Sequence, residues 1–382
     1  MKKLAIIGKG TAGVLAAAHF NRWTDCEIEL YYDENIAPQP VGEGSNVQLP
    51  QALAIDLNFN YENLLEIDGN FKYGIKKENW AKGDTFTHFF APPNIGYHFN
   101  AGKLQEYVLN KLKPNVKAIN KNVTPDEIDA DFVMDCSGKP QSYESCNMSE
   151  FIPVNAVHVT QCYWDYPRFQ YTLTIARPYG WVFGIPLQNR CSIGYMYNKD
   201  INTLEEVKED VKAIFEQYNL TPSDVTNTFS FKNYTRKQNF TGRVINNGNS
   251  SFFLEPLEAT SIATMDVINR NAYDVWFENK PVEIANNKYT SFLDEVENVI
   301  MLHYFAGSSF DTPFWKYAQN RGAENMKKAL SNDLFKQMVN LSQNDVKTFL
   351  NSSVKEYGTW PLASFKQNLE TLDLYKKLEM IN

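Results

Sequence analysis

The chain has 382 residues, 43 % hydrophobic and 21 % charged, enough to bury a large core as one elaborated domain or two closely joined ones. A formal net charge of −8, with the lysines scattered, leaves no basic footprint for nucleic acid. The opening "MKKLAIIGKG" holds too short an apolar run for a secretory signal, no stretch reaches the roughly 20 apolar residues of a spanning helix, and Cys26, Cys136, Cys146, Cys162 and Cys191 are odd in number without zinc spacing, so the expectation is a cytoplasmic enzyme with no membrane, disulfide framework or metal.

In chain order, "KLAII" at residues 3 to 7 predicts a strand, "GKGTAG" a glycine turn, and "VLAAAHFNRW" a helix. "EIELYYD" predicts a second strand ending at Asp33, 25 positions after Gly8. This is a βαβ opening of the Rossmann kind. Gly8 allows the tight turn, Gly10 lets the backbone approach a pyrophosphate, and Gly13 lets the helix pack close to the strand. Thr11 and Ala12 begin the helix whose N-terminus faces the anion, and Asp33 is the candidate for the ribose hydroxyls.

Residues 101 to 112, "AGKLQEYVLNKL", predict an amphipathic helix, and "FVM" entering Asp135, Ser137 and Gly138 predicts a strand and turn beneath the dinucleotide. Alternation through "YTLTIA", "GWVFGIPL" and "CSIGYMY" predicts an antiparallel sheet inserted at about 150–235. Helical spacing in "ENMKKALSNDLFKQMVN" predicts a helical cap over 319–382, after a core of 1–318. The 25 Phe and 21 Tyr exceed what a core needs and suit a planar cofactor beside an aromatic ligand.

Two distant segments carry the sharpest signal: Lys72 in "FKYGIKKENW" and Glu258 in "EPLEATS". Lys76 and Lys77 are read as surface charges. Between and around them stand "VGEGS" (Val41 to Ser45), "YHFNAGKL" (Tyr97 to Leu104), the run Trp181, Val182, Phe183, Gly184, Ile185, Pro186, the set Phe183, Pro186, Ser192 and Gly194, "GNSSFFLEPLEATS" (Gly248 to Ser261) and "DTPFWKYA" (Asp311 to Ala318). Taken in this order, over residues 3 to about 318, the chain resembles the flavin-dependent halogenases of the tryptophan-halogenase superfamily. Its Asn-, Lys- and Tyr-rich composition resembles a phage-encoded, cyanophage-type member.

The resemblance implies an α/β fold: a Rossmann-like FAD-binding domain with an inserted antiparallel sheet for the substrate and a short C-terminal helical region. It implies FAD, used as FADH2, with O2 and a halide (chloride, bromide or iodide) as co-substrates. A flavin C4a-hydroperoxide would oxidise the halide to hypohalous acid, which Lys72 would carry while Glu258 polarises it or accepts the ring proton. The lysine must be desolvated, to lower its pKa or to hold hypohalous acid by a hydrogen bond. By the same resemblance the cofactor lies against Gly8, Gly10, Thr11, Ala12, Gly13, Asp33, Gly42, Glu43, Gly248 and Asn249, the last two standing for a Gly-Asp pair. Trp181, Phe183, Ile185 and Pro186 form the aromatic block beside the flavin, with Phe183 in a tryptophan position.

Halide would meet the backbone amides of Thr260 and Ser261. Ser261 replaces the family glycine, and the expectation is that serine, which takes positive φ poorly, narrows the approach and leaves halide preference open, with bromide or iodide able to outcompete chloride because heavier halides are easier to oxidise. Tryptophan halogenases run on for well over a hundred residues beyond Asn382, so the expected pocket is more open and the expected substrate is a small electron-rich phenol or indole. A second nucleotide fingerprint is not visible, which implies a separate NAD(P)H-dependent flavin reductase; a homo-oligomer is also compatible. His19, His88, His98, His158 and His303 are dispersed and receive no role. Two other readings stay open: an aromatic hydroxylase, which would need neither Lys72 nor the halide amides, and a non-catalytic flavin-binding protein, which would need neither Lys72 nor Glu258.

Overall fold

The computed structural model describes residues 1–36, 42–90, 93–344, 348 and 352–381. Val41, which opens "VGEGS", lies outside the described residues, as do 345–347, 349–351 and 382 of the expected cap. Two compact units result, residues 1–71, 95–148 and 233–291 in the first, and 72–94, 149–232 and 292–382 in the second.

In the first unit β1 (Lys3–Ile7) is central and its Leu4, Ala5 and Ile6 are fully buried. It pairs in parallel with β2 (Glu27–Tyr32), from Lys3↔Glu27 to Ile7↔Tyr31, and with β9 (Phe132–Asp135), from Leu4↔Phe132 to Ile7↔Asp135. β8 (Val116–Asn120) lies outside β2, β18 (Val244–Asn246) lies beside β9, and β17 (Phe240–Thr241) ends the sheet, giving the order β17-β18-β9-β1-β2-β8. Strands buried on both faces read as continuous apolar runs, which is why "KLAII" was legible. On one face α1 (Thr11–Trp23) packs Val14, Leu15 and Ala18 against Leu49 and Leu53 of α2 (Gln48–Leu57), Leu104 and Val108 of α3 (Ala101–Lys111) and Ile262 of α6 (Thr260–Phe277). Two small sheets complete the unit. β3 (Gly42–Gly44), β7 (Gly96–Asn100) and β4 (Asn70–Lys72) form one, and β10 (Cys146–Met148), β16 (Tyr234–Arg236) and β19 (Phe252–Phe253) the other.

The second unit is built on a seven-stranded sheet ordered β15 (Thr221–Ser230), β11 (Ala156–Tyr163), β14 (Arg190–Tyr197), β13 (Gly180–Pro186), β12 (Thr172–Arg177), β5 (Gly74–Trp80) and β6 (Asp84–Phe89). Every neighbouring pair is antiparallel except β12 and β5, which run parallel from Thr172↔Ile75 to Ile175↔Glu78. Leu173, Ile175, Val182, Ile193 and Tyr195 share one apolar cluster with Val207 of α4 (Leu204–Asp210) and Val211 and Ile214, where α5 (Lys212–Gln217) begins. Trp80, Trp181 and Trp315 pack instead with the end of α7 (Val282–Ala306) and the start of α8 (Pro313–Ala329). Trp80 meets Trp315 edge to face at 5.4 Å between centroids, and the Trp181 indole N–H donates to the Tyr304 hydroxyl at 3.0 Å.

Residue 318, the expected end of the core, lies inside α8, and the chain from Phe292 on belongs with the large sheet. The stretch "ENMKKALSNDLFKQMVN" is helical as expected and runs from the end of α8 into the next helix. Asn332 accepts the N–H groups of Leu334 and Phe335 and so starts α9 (Asp333–Gln343). α10 (Leu362–Thr371) follows. No helix among the described residues is long and apolar enough to cross a membrane.

Candidate functional site

At the carboxyl ends of β1, β2 and β9 the three fingerprint glycines separate by what surrounds them. Gly8 has φ +99°, and a β-carbon there would stand 2.3 Å from the Cys136 carbonyl oxygen; one on Gly13 would stand 1.8 Å from the Gly8 carbonyl oxygen. Both positions therefore exclude a side chain. Gly10 has φ −65° and nothing within 4 Å of such a carbon, so the space above it is open to a ligand. No side chain caps the N-terminus of α1, whose first amides carry the positive end of a 13-residue helix. An open space over Gly10 beside an uncapped helix start has the room and the polarity that the pyrophosphate of the expected FAD would need.

The remaining expected cofactor residues of this unit gather at the same end. Gly248 has φ +59°, and a β-carbon on it would lie 2.7 Å from that of Ala12. The neighbouring Asn247, which the sequence reading passed over, is fully buried and fixes that loop. Its backbone N–H donates to Asp135 O at 2.8 Å, its Oδ1 accepts the Gly248 N–H at 2.7 Å, and its Nδ2 donates to Asn269 Oδ1 at 2.8 Å. An asparagine before a glycine was the only local signal. Asn249 itself is exposed. Thr11 donates its hydroxyl to Glu43 Oε1 at 2.8 Å, and desolvation holds the Glu43 carboxyl above the usual range against that bond. Gly42 pairs with Asn100 at the start of β3. Asp33, just past β2, accepts the Asn35 backbone and side-chain N–H groups at 2.9 Å, which hold its carboxyl below the usual range.

Glu258 is 5 % exposed and belongs to this first unit. It and Ala259 both take left-handed backbone, φ +72° and +53°, immediately before α6. Thr260 begins α6 at φ −78°, and Ser261 is its second residue. The expectation that Ser261 is strained by a glycine's conformation is thus corrected, because the positive φ falls two and three residues earlier and Ser261 is helical. Ala259 offers no side-chain cap, so the first amides of this 18-residue helix, those of Thr260 and Ser261 among them, sit at an uncapped positive end.

The second unit begins at Lys72, the last residue of β4. Its side chain is fully buried, with Nζ 5.6 Å from the centre of the Phe90 ring. Lys77 corrects the reading of its neighbourhood as surface. It is also fully buried, and its Nζ donates at 2.6 Å to His303 Nε2 and at 2.6 Å to Asn368 Oδ1, with the Trp360 ring centre 5.4 Å away. His303 Nδ1 lies 3.0 Å from the Val299 carbonyl, which sets that nitrogen as donor and Nε2 as acceptor. Lys76 is half-buried in an ion pair with Glu78 at 2.7 Å.

Trp181, Phe183 and Ile185 alternate along one face of β13, and the Phe183 ring lies over Gly194 so closely that a β-carbon there would overlap it. Phe183↔Gly194 and Ile185↔Ser192 are cross-strand pairs, which accounts for the spacing of Phe183, Pro186, Ser192 and Gly194. Pro186 ends the strand. "DTPFWKYA" is a helix start: the Thr312 hydroxyl accepts the Trp315 N–H at 3.4 Å, Pro313 takes the first helical position, and the Trp315 indole donates to the Arg177 carbonyl at 2.7 Å. Among the described residues no cluster of His, Cys, Asp or Glu could hold a metal ion, and all five cysteines are free.

The tryptophan halogenase family model matches residues 3–124 and 94–357. The chain is 25 % identical over 246 residues to the tryptophan 7-halogenase RebH of Lentzea aerocolonigenes, a match covering 60 % of this chain and 46 % of the relative. To the tryptophan 6-halogenase ThaL of Streptomyces albogriseolus it is 24 % identical over 272 residues, covering 62 % and 51 %. The chain thus spans about half the length of the curated relatives it matches. Among solved structures, MibH, a lathipeptide tryptophan 5-halogenase, superimposes with a TM-score of 0.81 at 17 % identity, covering 98 % of this chain and 86 % of that one. BrvH, a flavin-dependent halogenase from Brevundimonas sp. BAL3, gives 0.79 at 17 % identity, covering 100 % and 93 %. These structures share its mixed α/β fold, and with the family model matched over most of its length the chain belongs to the tryptophan halogenase family.

Proposed function

We propose that this protein is a flavin-dependent halogenase acting on a small electron-rich aromatic, a phenol or an indole. The observation that carries the reading is Lys72, a fully buried lysine in a family member that also holds an open dinucleotide cradle at Gly8, Gly10 and Gly13. Bound FAD, reduced and exposed to O2, supplies the oxidising equivalent that turns halide into hypohalous acid. The buried Lys72 amine holds the hypohalous acid by hydrogen bond or takes up the halogen. In the substitution the ring gains a carbon–halogen bond and loses a proton. Glu258 accepts that proton as general base and hands it to the hydroxide released from the hypohalous acid, which leaves as water.

The uncapped start of α6 supports a halide contact at the Thr260 and Ser261 amides. With Ser261 helical, a serine at that position gives no steric reason to reject chloride, so the halide order is left to competition among the three ions. Trp181 and Phe183 supply a planar apolar wall. Reduced flavin is proposed to come from a separate NAD(P)H-dependent reductase. Composition alone supports a phage-encoded origin.

The test is mass spectrometry of reactions holding the protein, an unrelated flavin reductase, FAD, NADH, O2, one halide at a time and a panel of phenols and indoles. The expected result is a halogenated product that is lost in Lys72→Met while FAD binding persists. Hydroxylated product would replace the reading with a monooxygenase, and undiminished halogenation by the variant would remove Lys72 from the chemistry.

A further inference from the structure

Lys9 stands between the first two fingerprint glycines, one residue from the open space above Gly10. Its ammonium lies over the ring of Tyr32, 3.9 Å from the centroid. Tyr31 packs with Ala5, Ile7 and Val133 on one face of the parallel sheet, so by the alternation of a strand Tyr32 lies on the other face. The Gly8 N–H donates to the Tyr31 carbonyl at 2.7 Å, and the Lys121 N–H to the Tyr32 carbonyl at 2.8 Å. Both the glycine loop and the ring beneath the ammonium are therefore fixed in place.

Among the described residues no carboxylate lies within ion-pair distance of this ammonium. Asp33, one residue past Tyr32, takes its hydrogen bonds from Asn35 and Asn122 instead. A half-exposed ring face holds an ammonium only weakly, whereas a phosphate oxygen offers a full charge and a charge-assisted hydrogen bond. The rest of the chain offers an anion little, since its net charge is −8.

We propose that Lys9 receives the pyrophosphate of FAD, its ammonium leaving the Tyr32 face for a phosphate oxygen when the cofactor is bound over Gly10. The inference rests on FAD being the ligand of this cradle, and it concerns capture of the cofactor, not the halogen chemistry. The first amides of α1 are rigid donors, and Lys9 adds the one mobile charge. A compact ammonium on a flexible stem follows a phosphate as a point charge, which the fixed amides cannot do. Reduced flavin delivered by a separate reductase arrives from solution, so each turnover begins with such a capture.

FAD titration followed by flavin fluorescence, in acetate salts so that no halide is present, tests this at ionic strengths of about 0.01 M and about 1 M, where charges are screened over about 30 Å and about 3 Å. At the low salt, Lys9→Met keeps the stem, removes the charge and is expected to raise the FAD dissociation constant roughly tenfold, while Lys9→Arg restores most of the affinity. At the high salt the gap between wild type and Lys9→Met is expected to narrow to about twofold. ADP, which carries the pyrophosphate without the flavin, is expected to suffer the same loss as a competitor. A Lys9→Met protein that binds FAD as the wild type does at low salt overturns the inference. So does a loss that high salt leaves unchanged, that Lys9→Arg does not restore, or that ADP does not share. None of these outcomes touches the halogenase reading, whereas a wild type that binds no FAD overturns both.

Discussion

The carbonyl oxygen of Gly8 lies 1.8 Å from the place a β-carbon on Gly13 would occupy, so the turn out of β1 and the first turn of α1 are in backbone contact. Gly10, between them, faces open space. The two glycines therefore answer differently to one methyl group. Gly13→Ala has to push α1 off the strand and is expected to cost about 3 kcal/mol or more, read as a large drop in melting temperature or loss of soluble protein. Gly10→Ala leaves the fold intact, because its φ of −65° suits any residue, but places its methyl group where the pyrophosphate would approach. An FAD titration is expected to show about a tenfold weaker complex for Gly10→Ala. Unchanged affinity would mean that the dinucleotide does not pass over Gly10.

The strain before α6 makes a second prediction, and it is local to two residues. Ala259 at φ +53° pays a left-handed penalty that glycine avoids, so Ala259→Gly is expected to add about 1 kcal/mol of stability in urea unfolding. Ser261, helical, gains nothing from Ser261→Gly and is expected to lose up to about 0.5 kcal/mol through helix propensity. The reverse order, with Ser261→Gly the stabilising change, would put the left-handed turn back where the family's glycine stands.

How far the sequence could be read depended on whether the signal was local. The opening βαβ unit was visible because each of its parts, an apolar run, three glycines and an alanine-rich helix, is written within thirty-odd residues and matches Lys3–Ile7, Thr11–Trp23 and Glu27–Tyr32. Lys77 was not. A lysine between Lys76 and Glu78 looks solvated, yet β5 is flanked by β12 and β6, and the partners that make the burial tolerable, His303 and Asn368, are 226 and 291 positions away. His303 was dismissed for the same reason, since dispersed histidines show no spacing. Asn247 fell between: it stands beside a glycine that was noticed, but its role depends on Asp135 and Asn269, which only the fold brings near. For Ser261 the backbone conformation inferred from the family's glycine was wrong, because a glycine in a pattern does not say which residue of a turn carries the positive φ.

Asp56, on the α2 side of a small cavity lined by Leu15, Leu49, Leu53 and Ile262, gives the third prediction. Desolvation pushes its carboxyl up to about 6, with repulsion from Asp266 adding to the rise and the Trp23 indole N–H, donating at 3.0 Å, opposing it. His19 stands 3.8 Å away but offers no counter-charge at neutral pH, since burial and then Arg270 lower its pKa to about 4. The native state thus holds this proton more tightly than the unfolded chain, whose aspartate titrates near 3.9. The resulting penalty on folding is full above about pH 6, shrinks as the pH falls from 6 toward 4, and is gone below that. Asp56→Asn keeps an oxygen to accept the Trp23 N–H and removes the charge. Denaturant unfolding at about pH 8 is expected to show the variant more stable by about 2 kcal/mol, and at about pH 4 to show the two proteins nearly equal. An equal gain at both pH values would trace the effect to packing around the cavity instead of to the buried charge.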